Sequence, residues 1–194
     1  MLLSMLYTDV LQGERIRALR VEDFDRLADS GAFGDDERVE LLHGMLVVMD
    51  VPGGPHIWIT QRLMERLVLA TVGTQLKVIC QSAVKMGDYQ LPQPDLAIVP
   101  KQVGFARPVG GLLVIEVADT SLRKDKDVKP AIYAQANVPE YWLVDVRREC
   151  VVVHRDPHGM QYRMIELIPR TGTLQPMTLP GVEIVVDDLF RPGD

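Results

Sequence analysis

The stretch LLVIEVADTSLRKDKDVK, residues 112–129, decides how the fold is assigned. Its apolar beginning is typical of a short strand that is buried on both faces of a sheet. Glu116 lies within this apolar run, and a lysine-rich segment follows it. A buried carboxylate loses its hydration and therefore needs a partner. The stretch thus predicts a buried strand that ends at a polar site.

Further strands and helices are predicted on both sides of this stretch. Apolar residues at helical spacing predict helices over 21–30 and 56–72, and two extended segments over 38–51 flank a turn at His43-Gly44. Other strands are predicted over 75–86, 95–99, 140–146, 150–154, 162–168 and 182–186. The sequence therefore predicts an α/β (α+β) fold, with a mixed central β-sheet flanked by helices in one domain, residues 1–194.

The composition is that of a soluble globular protein, with 47% hydrophobic and 25% charged residues. A net charge of −6 argues against a protein whose main role is tight binding to nucleic acid, since lysine and arginine supply that binding. It does not exclude an enzyme that acts on nucleic acid. The apolar runs are far shorter than the roughly 20 residues of a membrane span, so no membrane partner is expected.

The N-terminus and the cysteines predict the compartment. The stretch MLLSMLYTDV, residues 1–10, has no basic residue before its apolar run, which argues against a signal peptide. Cys80 and Cys150 are the only cysteines and lie far apart in the sequence, so they predict neither a disulfide framework nor a zinc cluster. We therefore expect a cytoplasmic protein.

Two carboxylates stand at comparable places in two predicted strands. Asp95 opens one buried run, and Glu116 lies near the end of the next. If these strands are neighbours, both side chains can face one cleft, where two close carboxylates repel each other and need a cation. Mg²⁺ commonly takes one or two carboxylates and keeps waters for phosphate oxygens. Taken alone, each acid is more often a turn residue or a solvated ion pair than part of a functional site.

Several motifs occur in order along the chain. They are VELLHGMLVVM (39–49) followed by His56, QPDLAIVP (93–100), LLVIEV (112–117), D-x-x-x-K-x-x-x-Y at Asp125, Lys129 and Tyr133, and VPEYWLVDV (138–146). From Val21 to the end, the chain resembles the Uma2-like family of proteins described as restriction endonucleases, a branch of the PD-(D/E)xK nuclease-like superfamily. The resemblance implies a restriction-endonuclease-like core and a metal-dependent endonuclease that hydrolyses phosphodiester bonds of DNA with Mg²⁺ or Mn²⁺.

The resemblance also implies roles for individual residues. Asp95 matches the first metal-binding aspartate, and Glu116 matches the second acidic ligand. The usual lysine two residues after the glutamate is missing, because Ala118 occupies that place, and Lys129 matches the lysine of the following helix. Glu40 matches an early glutamate that can reach the metal. The implied catalytic residues are thus Asp95, Glu116 and Lys129, and the implied metal ligands are Asp95, Glu116 and Glu40.

Some nearby residues leave alternatives open. Asp119 adds an acid that could bind metal or repel phosphate, and His56 could join the site or simply start a helix. Asp125 could only pair with Lys129 four residues later. Lys129 itself could be one solvated charge among Arg123, Lys124 and Lys126.

Pro130 makes the position of Lys129 depend on where the helix begins. If Asp127 is the N-cap, Pro130 falls in the first turn, where proline is tolerated. If the helix begins near Thr120, Pro130 kinks it and moves Lys129.

Two other functions compete with a nuclease. A catalytically degenerate nuclease-fold module for homodimerisation or regulation is favoured by Ala118, Asp119, Pro130 and the acidic net charge. A glycoside hydrolase could use Asp95 and Glu116 as an acid pair, but it would need neither a metal nor Lys129. The partners expected for a nuclease are DNA and a second copy of the chain.

Overall fold

A six-stranded sheet forms the centre of the protein in a computed structural model, which describes residues 15–34, 36–102, 104, 106–119 and 121–191. The N-terminal stretch used for the signal-peptide prediction and Thr120 lie outside these residues. The strands are β1 (Val39–Leu42), β2 (Met45–Val48), β3 (Leu76–Cys80), β4 (Leu96–Pro100), β5 (Leu113–Ala118), β6 (Glu140–Asp145), β7 (Cys150–His158), β8 (Gln161–Ile168), β9 (Thr173–Leu174) and β10 (Ile184–Val185). The helices are α1 (Val21–Asp29), α2 (Gly54–Thr71), α3 (Leu122–Asp127), α4 (Lys129–Gln135) and α5 (Asp187–Phe190).

The central sheet is mixed. Its strand order is β3-β4-β5-β6-β7-β8, and β5 and β6 are parallel while the other neighbouring pairs are antiparallel. A parallel pair needs a long connection, and here helices α3 and α4 provide it. The predicted mixed sheet flanked by helices is therefore confirmed.

Both faces of the central sheet are covered by helices. Helix α2 buries Ile59, Leu63 and Leu67 in a core on one face, and helix α4 buries Ile132 and Tyr133 in a core on the other. Every residue of β5 between these two cores is buried. The predicted buried strand is thus confirmed, and Glu116 is carried into the interior with it.

The helical segment after β5 is split in two. Helix α3 begins after Ser121, Val128 separates it from α4, and Lys129 and Pro130 are the first two residues of α4. The structure combines the two alternatives: one helix begins close to the start considered near Thr120, and a second begins with Val128, not Asp127, as its N-cap. A continuous helix is disfavoured because proline lacks the amide hydrogen that would bond to the preceding turn. The break places Lys129 at the start of α4, where it is buried against the sheet.

Two other predicted segments are shorter than expected. The predicted strand over 75–86 ends at Cys80, because Gln81 adopts a positive φ of 45° and its N–H donates to the carbonyl oxygen of Asp95 (3.1 Å). The final strand predicted over 182–186 is reduced to β10, and α5 begins at Asp187. Within the ranges given above, no helix is both long and apolar enough to cross a membrane.

The turn between β1 and β2 is packed against the preceding chain. His43 and Gly44 have φ values of 52° and 74°, which suits the tight turn of a two-residue hairpin. The carbonyl oxygen of Gly44 accepts from the Leu19 N–H at 3.0 Å. A Cβ atom added to Gly44 would lie 2.6 Å from Ala18 Cβ and 3.0 Å from the Leu19 backbone. The turn therefore needs glycine for its φ and for its space.

We expect Gly44→Ala to lower the free energy of unfolding by about 1–3 kcal/mol, because the methyl group adds a clash to a strained φ. Urea unfolding measures the change. Gly159→Ala is the matched control, since Gly159 has a similar φ of 62° and nothing within 4 Å of the added Cβ. Equal losses in the two variants would show that the contact with Ala18 has no energetic weight.

Candidate active site

Asp95 and Glu116 face each other at the end of two neighbouring strands. Leu96 pairs with Ile115 in the antiparallel β4–β5 ladder, so Asp95 stands opposite Glu116 one position further along. The Val117 N–H donates to Asp95 Oδ2 at 2.8 Å. Both carboxylates are buried and line the same cleft. The two acids predicted to face one cleft therefore do so in the structure.

Lys129 lies at the centre of a group of carboxylates. Its Nζ is 2.8 Å from Glu116 Oε1, 3.3 Å from Asp125 Oδ1 and 3.4 Å from Glu40 Oε2. Only 1% of Lys129 is exposed, so the alternative of a solvated lysine is wrong. Burial opposes its charge, but the three carboxylates outweigh this effect and raise the pKa of Lys129. Lys129 is therefore a buried ammonium group at neutral pH.

Tyr133 completes the surroundings of Glu116. Its hydroxyl donates to Glu116 Oε1, the oxygen that also accepts from Lys129. Burial and the nearby Glu116 raise the pKa of Tyr133 well above its usual value, so it remains a donor. The D-x-x-x-K-x-x-x-Y motif thus places Lys129 and Tyr133 on the Glu116 carboxylate, and Asp125 on Lys129.

Glu40 joins this group from β1 but does not line the cleft. It is fully buried, and its Oε1 accepts from Lys124 Nζ at 2.7 Å. Its Oε2 lies 3.4 Å from Lys129 Nζ and accepts a long hydrogen bond from the Gln93 N–H. This placement gives Glu40 a direct part in holding the two lysines, while its role as a metal ligand stays a prediction.

His56 contacts Asp95 from the first turn of α2. Its Nε2 is 3.0 Å from Asp95 Oδ1, and its Nδ1 is buried without a hydrogen-bond partner among the residues described. Burial would raise the pKa of Asp95, but the hydrogen bonds from His56 and Val117 and the charge of Lys129 lower it overall. Asp95 is therefore held as a carboxylate in a fixed orientation.

Asp119 and Asp125 have different surroundings. Asp119 lines the edge of the cleft, keeps 27% of its side chain exposed and lies 3.8 Å from Arg147 Nε. Asp125 is buried, accepts from the Ser121 hydroxyl and lies near Lys129. The predicted pairing of Asp125 with Lys129 across one helical turn is therefore present, although the helix is broken between them.

The buried part of the site has more acids than bases. Four carboxylates are buried, those of Glu40, Asp95, Glu116 and Asp125. Lysines contact three of them: Lys124 contacts Glu40, and Lys129 contacts Glu40, Glu116 and Asp125. Burial raises the pKa of Glu116 to about 8, although Lys129 opposes the shift. Glu116 thus holds a proton at neutral pH when no other cation is near.

The donor set fits a hard divalent cation better than zinc. In the described part of the chain, no group of three or more His, Cys, Asp and Glu side chains is arranged to hold a metal ion. Asp95 and Glu116 supply two carboxylates to one cleft. Mg²⁺ usually binds through one or two carboxylates and keeps several waters, whereas structural zinc requires four protein ligands. The two acids therefore meet the requirement of Mg²⁺, and Mn²⁺ accepts similar oxygen ligands.

Arg38 and Lys124 are cleft residues that the sequence analysis did not select. Lys124 belongs to a run of charges that usually lies in solvent, and only its contact with Glu40, 84 residues away, shows otherwise. Arg38 precedes Glu40 by two residues in an extended segment, where alternate side chains point to the same side. The two-residue spacing from Glu40 is the feature of the sequence that could have predicted that Arg38 lies near the site.

Comparisons with known proteins agree with the fold. A family model described as "Uma2: Putative restriction endonuclease" matches residues 21–187. The fold is similar to the crystal structure of "a putative nuclease belonging to DUF820" from Anabaena variabilis ATCC 29413, with a TM-score of 0.72 and 16% sequence identity. That likeness covers 89% of this chain and 97% of the other, and at this identity it shows the fold alone. Among curated proteins, none matches the sequence.

Proposed function

The chain belongs to the Uma2 family, and from this premise we propose that it is a metal-dependent endonuclease that hydrolyses phosphodiester bonds of DNA. One observation carries the proposal beyond the family. Asp95 and Glu116 stand opposite each other in one cleft, and Lys129 Nζ lies 2.8 Å from Glu116. Two acids and one lysine at a cleft are the groups that metal-assisted phosphodiester hydrolysis needs.

Asp95 and Glu116 would hold the cation. Asp95 is oriented by the Val117 N–H and by His56, so one carboxylate is fixed before any ligand arrives. Glu116 is held by Lys129 and Tyr133, which both contact the same oxygen, Oε1. When bound, Mg²⁺ or Mn²⁺ would polarise a phosphate oxygen and acidify a water molecule.

Lys129 would act as a donor to phosphate and not as a general base. Its raised pKa keeps the proton on Nζ at neutral pH. Lys129 is buried but is among the residues that line the cleft, so its ammonium group would lie near a phosphate bound there. Glu40 and Asp125 would keep Nζ in this position through their ion pairs.

A cleavage assay tests the proposal. Purified protein is incubated with supercoiled plasmid, linear duplex DNA and single-stranded RNA, each with Mg²⁺, with Mn²⁺ and with EDTA. We expect cleavage of DNA with either metal and none with EDTA. Cleavage that persists in EDTA would contradict the metal requirement, and cleavage of RNA alone would contradict the proposed substrate.

Metal binding should also release a proton from Glu116. The pKa of Glu116 is about 8 in the folded protein, above its ordinary value of 4.5. Protonation of Glu116 therefore stabilises the folded protein fully below about pH 4.5, and this stabilisation is lost as the pH rises through about 8. Because a cation needs the carboxylate, we expect binding at pH 7 to release about one proton, and binding above pH 9 to release none.

Calorimetry with Mg²⁺ in two buffers of different ionisation enthalpy measures this release. Glu116→Gln should abolish it, whereas Glu166→Gln, at an exposed position of β8, should leave it unchanged. Equal proton release in wild type and Glu116→Gln would show that another group titrates.

A second candidate function rests on the ion pairs of Lys129. This ammonium already contacts three buried carboxylates, so much of the site's charge is balanced without a metal. Such a network suits a catalytically inactive module that acts in homodimerisation or regulation. Calorimetry that detects no binding of Mg²⁺ or Mn²⁺ at millimolar concentration, together with a dimer in sedimentation experiments, would favour this module. The glycoside hydrolase alternative has no support from the family match.

A further inference from the structure

Arg38 brings an unpaired cationic group into the cleft. It precedes β1, is half-buried and lines the cleft together with Asp95 and Lys129. Its Nη2 atom is buried and has no hydrogen-bond partner among the residues described. Its backbone is held in place, since the Met49 N–H donates to the Arg38 carbonyl oxygen at 2.8 Å. The guanidinium group thus lies at the cleft, where its Nη2 atom lacks a hydrogen-bond acceptor among the residues described.

Other half-buried arginines of this protein have clear structural partners. Arg155 donates to Glu140 Oε1 at 2.7 Å, and Arg170 donates to Asp187 Oδ1 at 2.6 Å. Arg38 differs from both, because no carboxylate of the described chain lies within ion-pair distance of it. A buried donor without an acceptor destabilises the folded protein. A buried donor of this kind requires an explanation, and in a cleft a ligand that supplies the acceptor is one.

A phosphate group is the acceptor that fits this position. The planar guanidinium group presents paired N–H donors that match phosphate oxygens, and charge-assisted bonds of this type are strong. The carboxylates in the cleft would hold a cation, and a cation there also attracts an anionic substrate. We propose that Arg38 binds a non-bridging phosphate oxygen of the nucleic-acid backbone. This inference rests on the proposed function, to which it adds a substrate-binding residue.

Binding without cleavage tests Arg38 directly. A fluorescent duplex oligonucleotide is titrated with protein in Ca²⁺, over a series of salt concentrations, and anisotropy gives the Kd. We expect Arg38→Met to bind about tenfold or more weakly, and the slope of log K against log salt to be shallower by about one, as for one lost phosphate contact. The affinity of Arg38→Lys should lie between those of wild type and Arg38→Met, since a lysine offers a charge without the paired donors.

Arg163→Met is the matched control. Arg163 is exposed on β8 and does not line the cleft, and its replacement changes the net charge by the same amount. Thermal unfolding is measured on every variant. Because Arg38→Met removes an unsatisfied donor, its Tm should equal or exceed that of wild type.

The outcomes separate this inference from the proposed nuclease. Unimpaired binding by Arg38→Met, or a Tm clearly below that of wild type, would overturn the role of Arg38 even if the wild type cleaves DNA. If the wild type binds DNA through Arg38 but never cleaves it, the nuclease proposal fails and the phosphate contact stands. Absence of any binding by the wild type would overturn both.

Discussion

Asp95→Asn and Glu116→Gln should each reduce DNA cleavage by roughly a hundredfold to a thousandfold, the scale of losing one group that stabilises developing charge. Both substitutions keep the shape of the side chain but remove the negative charge that would hold the cation. Asp95→Asn can still accept from the Val117 N–H, and Glu116 already holds a proton at neutral pH. We therefore expect both variants to fold, and initial rates of plasmid cleavage measure the loss.

Two exposed acids provide matched controls for this experiment. Asp156→Asn and Glu166→Gln make the same chemical changes on β7 and β8, away from the cleft. They should cleave at the wild-type rate. Circular dichroism and Tm confirm that all four variants are folded. Full activity in Asp95→Asn and Glu116→Gln would remove the basis of the proposed active site.

Lys129→Met should cause a large loss of stability. The substitution keeps the length of the side chain but leaves Glu40, Glu116 and Asp125 without their shared ammonium group. Removing one partner of a buried ion pair costs about 3–5 kcal/mol, because the remaining charges stay uncompensated. DNA cleavage should be lost as well. Urea unfolding is measured at pH 9, above the pKa of about 8 of Glu116, so that all three acids compared are carboxylates.

A double variant distinguishes charge from packing in this result. Glu116→Gln removes one of the carboxylates that Lys129 compensates, so Lys129→Met should cost less in that background. Lys126→Met, on the exposed side of α3, is the control and should change stability by less than about 0.5 kcal/mol. An equal cost of Lys129→Met with and without Glu116 would mean that the lysine acts by packing alone.

The central part of the fold and the acid pair could be predicted from the sequence. The apolar run at 112–117 is characteristic of a buried strand, and its single carboxylate marked Glu116. Asp95 begins a second run of the same kind, and strands that are close in sequence are often neighbours in a sheet. Both signals are local, so no distant contact was needed to find them.

The lysines and Arg38 could not be placed with the same certainty. Whether Lys129 is buried depends on the break at Val128, and the sequence left two helix starts open around Pro130. The pairing of Lys124 with Glu40 joins residues 84 positions apart, and no local pattern records such a contact. Charged runs usually lie in solvent, and this general tendency argued against a site role for Lys124 and Lys129.

The connection through α3 and α4 also places some contacts of the site close together in the sequence and leaves others far apart. Lys129 and Glu116 close a loop of 13 residues, whereas Lys124 and Glu40 close one of 84. The longer loop costs about 1.7 kcal/mol more chain entropy to close, by the logarithmic dependence on loop length. Separation of the β1–β2 hairpin would therefore release Glu40 and Arg38 while Glu116, Lys129 and Tyr133 stay together. The acid and its lysine form a locally tethered unit, whereas the hairpin joins the site only through contacts that are distant in the sequence.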